Sequence, residues 1–425
     1  MERLRARRLR TGLVGMLAVS LAVGAGAAGA SAKTFSDNAP AVAERATATT
    51  TVTLTGWASS PAETEALRAV IAAFERQNRD IKVQYAPISG DYDAAMLSRF
   101  AAKRPPDVFY VESLDFFDYL PALEPLGSYI QRSKYSTRPF YGRLLNAFRS
   151  KGQVYGFPKD WSSLGVIANT RMTRAAGITR APTTWAQLET ALRTLQSRNA
   201  VPGGAPACLS LDWARILAFM IQNKGHFITN GRATVNTAAN RQTVNRYLGW
   251  LRSGLAKTPG QLGVGWCGEA LGKEKAALVV EGNWIIGYMQ TDFPSVGFTV
   301  WPMVRNKQAG NLGFTVAYAI GKASKKKQQA WRLLRFLVGR EGMGIWTRGG
   351  IALPSRRDVA VPAGRANLAR AAPVSRPWQF GSGFQKVIDA AGNELTATFE
   401  GKQTVDAMLR KIQALVAAQL RKQRR

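Results

Sequence analysis

Four short segments of this 425-residue chain combine a tryptophan with hydroxyl, carboxylate or amide side chains within three positions. A tryptophan ring can pack against the apolar C–H face of a small molecule, while carboxylates and amides hydrogen-bond the hydroxyl groups around its edge. This combination favours binding of a small polar ligand, with a sugar as the best match. The predicted ligand-binding residues in the four segments are Trp57, Ser59, Asp160, Trp161, Asp212, Trp213, Glu281, Asn283 and Trp284.

Packing in a hydrophobic core is the alternative interpretation for every tryptophan. The positions of Trp57 and Trp284 at predicted strand ends favour ligand binding, whereas both interpretations stay open for Trp161 and Trp213. Helical positions make packing the better interpretation for four others, namely Trp185, Trp250, Trp331 and Trp346.

Tryptophans beside carboxylates also line the active sites of glycoside hydrolases, which need two carboxyl groups roughly 5 to 9.5 Å apart. The chain has one histidine, His226, and neither a nucleophile-elbow motif nor a metal-ligand cluster. We therefore expect a binding protein that is not an enzyme and that uses no metal or cofactor. A glycoside hydrolase or another carbohydrate-active enzyme is the alternative.

The first 32 residues have the features of an export signal. A basic start precedes an apolar run over residues 13–23 and the small residues Ala30, Ser31 and Ala32. This order predicts a secretory signal peptide that is cleaved near Ala32, with an uncleaved membrane anchor as the alternative. Residues 33–50 predict a flexible lead. We expect a secreted protein that is periplasmic or associated with the cell surface.

Export bears on the two cysteines, Cys208 and Cys267. An oxidising compartment favours a disulfide between them, and two separate buried thiols are the alternative.

Basic residues outnumber acidic ones by 58 to 27, a net charge of +31, and 53 to 26, or +27, without the first 32 residues. Such a charge suits a protein held at an anionic surface, so a polyanion-binding surface protein is a second alternative. The basic residues are spread along the chain and form no compact basic and aromatic motif, so we expect no nucleic-acid partner.

Alternating strand and helix patterns predict an α/β architecture. Val52 and Leu54 alternate with threonines as a first strand, and Ser60, Pro61 and Glu63 have the spacing of a capped helix start. The same order continues with a buried strand over residues 107–111, a capped helix from Thr184, a strand over residues 276–280, and helices over residues 329–337 and 405–416.

Five landmarks stand in the order that a known protein family has. They are Trp57, Pro106-Asp107-Val108, a segment ending in Asn169-Thr170-Arg171, the helix start Pro182-Thr183-Thr184-Trp185, and Ala276-Ala277 followed by Gly282-Asn283-Trp284. On these landmarks the chain resembles the extracellular solute-binding proteins of sugar-importing ABC transporters, of the maltose-binding type. One departure is Ala168-Asn169, because the family has a tyrosine before this asparagine. Any stacking contribution from that tyrosine is therefore lost. The basic excess is unusual for a carbohydrate receptor and keeps an acidic or phosphorylated sugar among the candidate ligands.

The resemblance implies a two-lobed periplasmic-binding-protein fold, in which each lobe has a mostly parallel sheet flanked by helices and several chain crossings form the hinge. It implies that residues 51–162 and 314–358 form lobe I, and that residues 163–313 and 359–425 form lobe II. It also implies a monomer that captures its ligand between the lobes and delivers it to the transmembrane permease subunits. Family positions near the cleft and hinge add Asp91, Tyr92, Glu112, Gly313 and Phe314 to the predicted ligand-binding residues.

Overall fold

The elements of the chain alternate between strands and helices, as the sequence patterns predict. The computed structural model describes residues 49–57 and 60–424. The predicted signal peptide, most of the flexible lead and the predicted ligand-binding residue Ser59 lie outside the described residues.

The strands are β1 Thr50–Thr55, β2 Ile81–Tyr85, β3 Val108–Glu112, β4 Arg149–Ser150, β5 Gln153–Val154, β6 Gly156–Ser163, β7 Gly165–Asn169, β8 Ala205–Cys208, β9 Ile228–Thr229, β10 Arg232–Ala233, β11 Ala256–Lys257, β12 Ala276–Glu281, β13 Phe298–Trp301, β14 Asn311–Ile320 and β15 Ser375–Pro377. The helices are α1 Pro61–Gln77, α2 Tyr92–Ala101, α3 Phe116–Tyr119, α4 Gly127–Arg132, α5 Gly142–Asn146, α6 Thr170–Ala175, α7 Trp185–Ser197, α8 Trp213–Gln222, α9 Ala238–Arg252, α10 Cys267–Gly272, α11 Trp284–Asp292, α12 Lys327–Leu337, α13 Arg340–Thr347, α14 Ala366–Ala369, α15 Phe384–Phe399 and α16 Val405–Arg424.

Two helix starts confirm the capping patterns. At α1 the Glu63 backbone N–H donates to the Ser60 hydroxyl (3.1 Å), and Pro61 occupies the first turn. At α7 the Gln187 backbone N–H donates to the Thr184 hydroxyl (3.2 Å). These bonds satisfy donors that have no partner within the helix, which is why serine and threonine mark both starts.

The first sheet has six strands. Its order is β15-β14-β3-β1-β2, with β6 also paired to β14. Strand β1 runs parallel to β2 and β3, whereas β14 runs antiparallel to both β3 and β6. Strand β15 lies within the range that was predicted for lobe II, yet it pairs with the first three residues of β14 and so extends the first sheet.

The second sheet has five strands in the order β11-β8-β12-β7-β13. Strand β8 is parallel to β11 and β12, and β7 is antiparallel to β12 and β13. Each sheet has its own large hydrophobic core, with Leu54, Phe74 and Phe109 in the first and Phe219, Leu248 and Ile412 in the second. Both sheets are therefore mixed rather than mostly parallel, because each contains antiparallel as well as parallel strand pairs.

One buried asparagine joins two of the strands that lead from one sheet to the other. Asn311 Oδ1 accepts from the Leu164 backbone N–H (3.3 Å), and Asn311 Nδ2 donates to the Leu164 carbonyl (2.7 Å). Leu164 is the single residue between β6 and β7, and Asn311 begins β14. The segment around Leu353 is bound to β6 as well. The Trp161 N–H donates to the Leu353 carbonyl, and the Leu353 N–H donates to the Trp161 carbonyl.

A carboxylate of the first core also caps a helix of the second. Gly383, which precedes α15, has no side-chain cap of its own. Its N–H donates to Asp118 Oδ1 (2.9 Å), and the Ser382 hydroxyl donates to the same carboxylate. The Ser382 carbonyl accepts from Gln419 (2.7 Å), which lies on α16. The turn at 382–383 is thus held from both cores.

The predicted disulfide between Cys208 and Cys267 is confirmed. It joins the end of β8 to the start of α10 in the second sheet. The Ser210 hydroxyl donates to Cys267 Sγ (3.6 Å), and the Tyr247 hydroxyl donates to the Ser210 carbonyl (2.7 Å). The loop that leads from β8 into α8 is therefore held at Cys208 and at Ser210. None of the described helices is long and apolar enough to cross a membrane.

Candidate ligand site between the two sheets

One face of the first sheet brings together residues from three neighbouring strands. Val316 of β14 pairs with Glu112 of β3 on one side and with Asp160 of β6 on the other. Directly paired residues point to the same face of a sheet, as do residues two apart on one strand. Glu112, Asp160 and Phe314 therefore share one face, and the Glu112 and Asp160 backbones are roughly 10 Å apart.

Trp284 approaches this face from the second sheet. It starts α11, three residues after β12 ends at Glu281, and its ring packs edge-to-face on Phe314 with 5.3 Å between the ring centroids. Of the described tryptophans it is the most exposed, at 37%. A Cβ atom on Gly282 would lie 2.2 Å from this ring, so only glycine allows the ring to lie where it does.

Arg215 and Glu281 fix the Trp284 ring from the side of the second sheet. Glu281 is 1% exposed and accepts from both Trp284 Nε1 (2.9 Å) and Arg215 Nη2 (2.5 Å). The Arg215 guanidinium lies 5.6 Å from the Trp284 ring centroid and 3.2 Å from Asp212 Oδ2. Burial alone lowers the pKa of Arg215, but the carboxylates of Asp212 and Glu281 outweigh burial and raise the pKa above its ordinary value.

Lys159 is the buried cation on the side of the first sheet. It is 3% exposed, and its Nζ lies 2.5 Å from Asp160 Oδ2 and 3.9 Å from Glu63 Oε1. The ammonium also lies 3.9 Å from the Trp346 ring centroid and 4.8 Å from that of Tyr110. Trp346 Nε1 donates to Asp160 Oδ2 (2.9 Å), so this carboxylate has two fixed donors.

Glu112 has a different environment. Among the described residues, its carboxylate accepts no hydrogen bond and belongs to no ion pair. Burial raises its pKa to about 7, and the charges of Asp93 and Asp160 add to the effect. The neighbouring Asp115 has a pKa raised to about 8, also mainly by burial. Glu112 therefore holds a proton more readily than an exposed glutamate.

We call Glu112, Asp160, Arg215, Glu281, Trp284 and Phe314 the intersheet site. Five of these six residues come from the set predicted from the sequence. Arg215 was missed, although it lies three residues after Asp212 on a helix, a spacing at which an arginine reaches the capping carboxylate. Lys159, next to Asp160 in the sequence, was missed as well, because nothing local indicates that a lysine is buried.

Trp57 and Tyr92 lie on the other side of Glu112, around Tyr110. Trp57 packs edge-to-face on both tyrosine rings with centroids 5.0 Å apart. The Tyr92 hydroxyl donates to the Tyr110 carbonyl (2.9 Å), and Asp91 caps α2 by accepting from the Ala94 N–H (3.1 Å). Trp57 is only partly buried, whereas Tyr92 is buried.

Several predicted residues lie in packed surroundings. Trp161 is 1% exposed, and its Nε1 donates to the Pro354 carbonyl (3.0 Å). Trp213 is 2% exposed and packs on Phe227. Both are core residues, because β6 is buried along its whole length and α8 is apolar on nearly all sides. Both side chains are therefore packed in a core in the described structure.

Asn283 and Gly313 lie close to the chain crossings. Asn283 is 1% exposed; its N–H donates to the Ser162 hydroxyl (2.8 Å) and its Nδ2 donates to the Gly350 carbonyl (3.0 Å). Its Oδ1 is buried and has no partner within residues 49–57 and 60–424. Gly313 pairs with Ser163 and Pro377 inside the sheet, and its carbonyl accepts from the Trp378 N–H. The described residues contain no group of three or more side chains that could hold a metal ion.

The sequence profile of the bacterial extracellular solute-binding protein family matches residues 58–344. The chain belongs to this family. A putative binding protein of Brucella abortus is 22% identical over 376 residues, which cover 82% of this chain and 88% of the relative. The matched residues of the solute-binding profile include the whole intersheet site.

Solved structures match the fold of this solute-binding protein. An ABC substrate-binding protein of Listeria monocytogenes in complex with cycloalternan is 21% identical, with a TM-score of 0.78 over 88% of this chain and 99% of that one. The sugar-binding protein MalE of Xanthomonas citri is 21% identical, with a TM-score of 0.77 over 88% and 98%. These similarities confirm the two-lobed architecture that the sequence resemblance implied.

Proposed function

We propose that this solute-binding protein captures a mono- or oligosaccharide at the intersheet site and delivers it to the permease subunits of an ABC importer, without catalysing a reaction. The observation that carries the proposal is the Trp284 ring, which is exposed by 37% although its Nε1 is bound to Glu281 and its edge packs on Phe314. A rigid aromatic surface beside carboxylates suits a ligand with apolar faces and a hydroxyl rim.

The named ligands of the similar structures support the same substrate class. The Listeria monocytogenes protein is in complex with cycloalternan, and the Xanthomonas citri protein is described as a sugar-binding protein. The proposal includes export to the periplasm or the cell surface, which agrees with the extracellular character of the family. It also includes function as a monomer.

The contacts of the Asp160 carboxylate give little support to the alternative function, glycoside hydrolysis. Asp160 Oδ2 already accepts from Lys159 and from Trp346 Nε1, which leaves at most the other oxygen of this carboxylate to contact a water molecule. Incubation of the protein with candidate oligosaccharides, followed by chromatography, is expected to return each sugar unchanged. Release of shorter sugars would contradict the binding role.

A thermal-shift screen of sugars, sugar acids, sugar phosphates and polyols tests the proposal. A ligand that binds only the folded protein raises the melting temperature in proportion to RT ln(1 + [L]/Kd). We expect at least one saccharide to do so, and Trp284→Ala to reduce the shift. Leu97→Ala is the control, because Leu97 is an exposed apolar residue (48%) on helix α2 that makes none of these contacts. Stabilisation by peptides alone would contradict the substrate class.

A further inference from the structure

We infer that the intersheet site selects a saccharide that carries a protonated amine over neutral and anionic ones, with Glu112 as the counter-ion of the amine. The inference rests on the proposed function, since it assumes that the intersheet site holds the ligand. It narrows the ligand from a polar solute of any charge to a cationic one.

The first step is the state of the two buried cations. Arg215 already contacts the carboxylates of Asp212 and Glu281. Lys159 likewise lies near both Asp160 and Glu63. Each cation therefore has two carboxylate neighbours, and neither has positive charge left over for a phosphate or carboxylate of the ligand. An anionic ligand would add negative charge where negative charge is already in excess.

The second step concerns Glu112 itself. This carboxylate has no donor among the described residues, although it points from the same sheet face as Asp160 and Phe314. Among the described residues, the charged groups that act on its pKa are Asp93 and Asp160, and both are negative. A partly buried carboxylate without a donor is costly, and an ammonium within hydrogen-bond distance removes that cost.

The third step is the composition of the whole chain. Lysine and arginine outnumber aspartate and glutamate by 58 to 27 in the whole chain. The excess of carboxylates over cations at the intersheet site is therefore the opposite of the average composition. The aromatic rings nearby suit a cation as well. Trp284 already lies 5.6 Å from a guanidinium, and Trp346 lies 3.9 Å from an ammonium.

The test compares three probes that share a pyranose ring and differ in charge: D-glucosamine, D-glucose and D-glucuronate. Isothermal titration calorimetry at neutral pH is expected to give the tightest binding for glucosamine, about tenfold tighter than for glucose, because a charge-assisted pair replaces an unpaired carboxylate. Glucuronate is expected to bind more weakly than either. Equal affinities, or tighter binding of glucose or glucuronate, would overturn the inference.

Two variants assign the selectivity to Glu112. Glu112→Gln keeps the shape and is expected to reduce the preference for glucosamine to about twofold or less, whereas Glu112→Asp keeps the charge and should retain a preference. Circular dichroism and the melting temperature check that both variants fold. Persistence of the full preference in Glu112→Gln would overturn the role of this residue.

The outcomes separate the inference from the proposed function. If neutral oligosaccharides bind while no amino sugar does, the inference fails and the proposed function stands. If no saccharide of any charge binds, the proposed function fails as well.

Discussion

The two sides of the intersheet site hold their charges in different ways. On the side of the second sheet, Arg215, Glu281 and Trp284 form one connected set of hydrogen bonds, next to a loop that a disulfide anchors. On the side of the first sheet, Lys159 and Asp160 are paired, but Glu112 lacks a donor within the described residues. The contrast teaches that hydrogen bonds fix an aromatic ring on one side, whereas the other side has a carboxyl group without a donor among the described residues.

The largest expected effect comes from removing the anchor of the second side. Cys208→Ala with Cys267→Ala opens a loop whose ends are 59 residues apart, which is expected to lower the free energy of unfolding by about 4 kcal/mol in the chain-entropy model. Urea denaturation of the oxidised wild type and the double variant measures this loss. An unchanged midpoint would mean that the disulfide does not hold this side together.

The next effect concerns the ion pair behind Trp284. Arg215→Met leaves Glu281, which is 1% exposed, without its cation and is expected to cost about 3 kcal/mol of stability. The matched double variant Arg215→Met with Glu281→Met removes both charges and should recover most of that loss. Denaturant unfolding of the single and double variants tests the coupling. Equal stabilities of the two variants would contradict it.

A smaller effect is expected for the ring itself. Trp284→Ala should weaken saccharide binding about 30-fold, the size of a typical aromatic hot spot, with little change in stability because the ring is exposed by 37%. Gly282→Ala keeps the indole but displaces it, since the new Cβ would lie 2.2 Å from the ring, and should give an intermediate loss. Titration calorimetry on both variants separates ring removal from ring displacement.

The smallest effect belongs to the first side and depends on pH. Because the pKa of Glu112 is raised to about 7, the folded protein holds a proton that the unfolded chain has lost between pH 4.5 and 7. Stability from this group is therefore present below pH 4.5 and is lost as pH rises toward 7. Glu112→Gln is expected to equal wild type at pH 4 and to be more stable at pH 8. The gain at pH 8 is about 2 kcal/mol, less than the roughly 3 kcal/mol of the full pKa shift, because the side chain is only partly buried. The exposed Glu65→Gln is the control, and thermal melts at both pH values provide the measurement.

Local patterns predicted the helix starts and much of the site. The caps at Ser60 and Thr184 depend on residues within three positions, so the sequence contains the whole signal. Glu281 and Trp284 were found in the same way, because three residues separate the hydrogen-bonded pair.

Long-range contacts set the limit of such prediction. Asp160-Trp161 resembles Glu281 to Trp284 in composition, yet Trp161 points away from the shared face and packs beneath the Leu353 segment. The register of β6 against β14 decides which face of the sheet each β6 side chain takes. In this register Trp161 pairs with Thr315, which lies about 150 residues further along the chain. The place of β15 in the first sheet likewise depends on its pairing with β14, which is distant in the sequence.

The cap at Asp118 would report any movement of one core relative to the other. Helix α15 belongs to the second core, but its first turn is complete only while a carboxylate of the first core accepts from the Gly383 N–H. Any movement that separates the cores must break this bond and expose the amide to solvent. Hydrogen exchange at Gly383 would then report the opening of this contact without a dye, a label or a ligand.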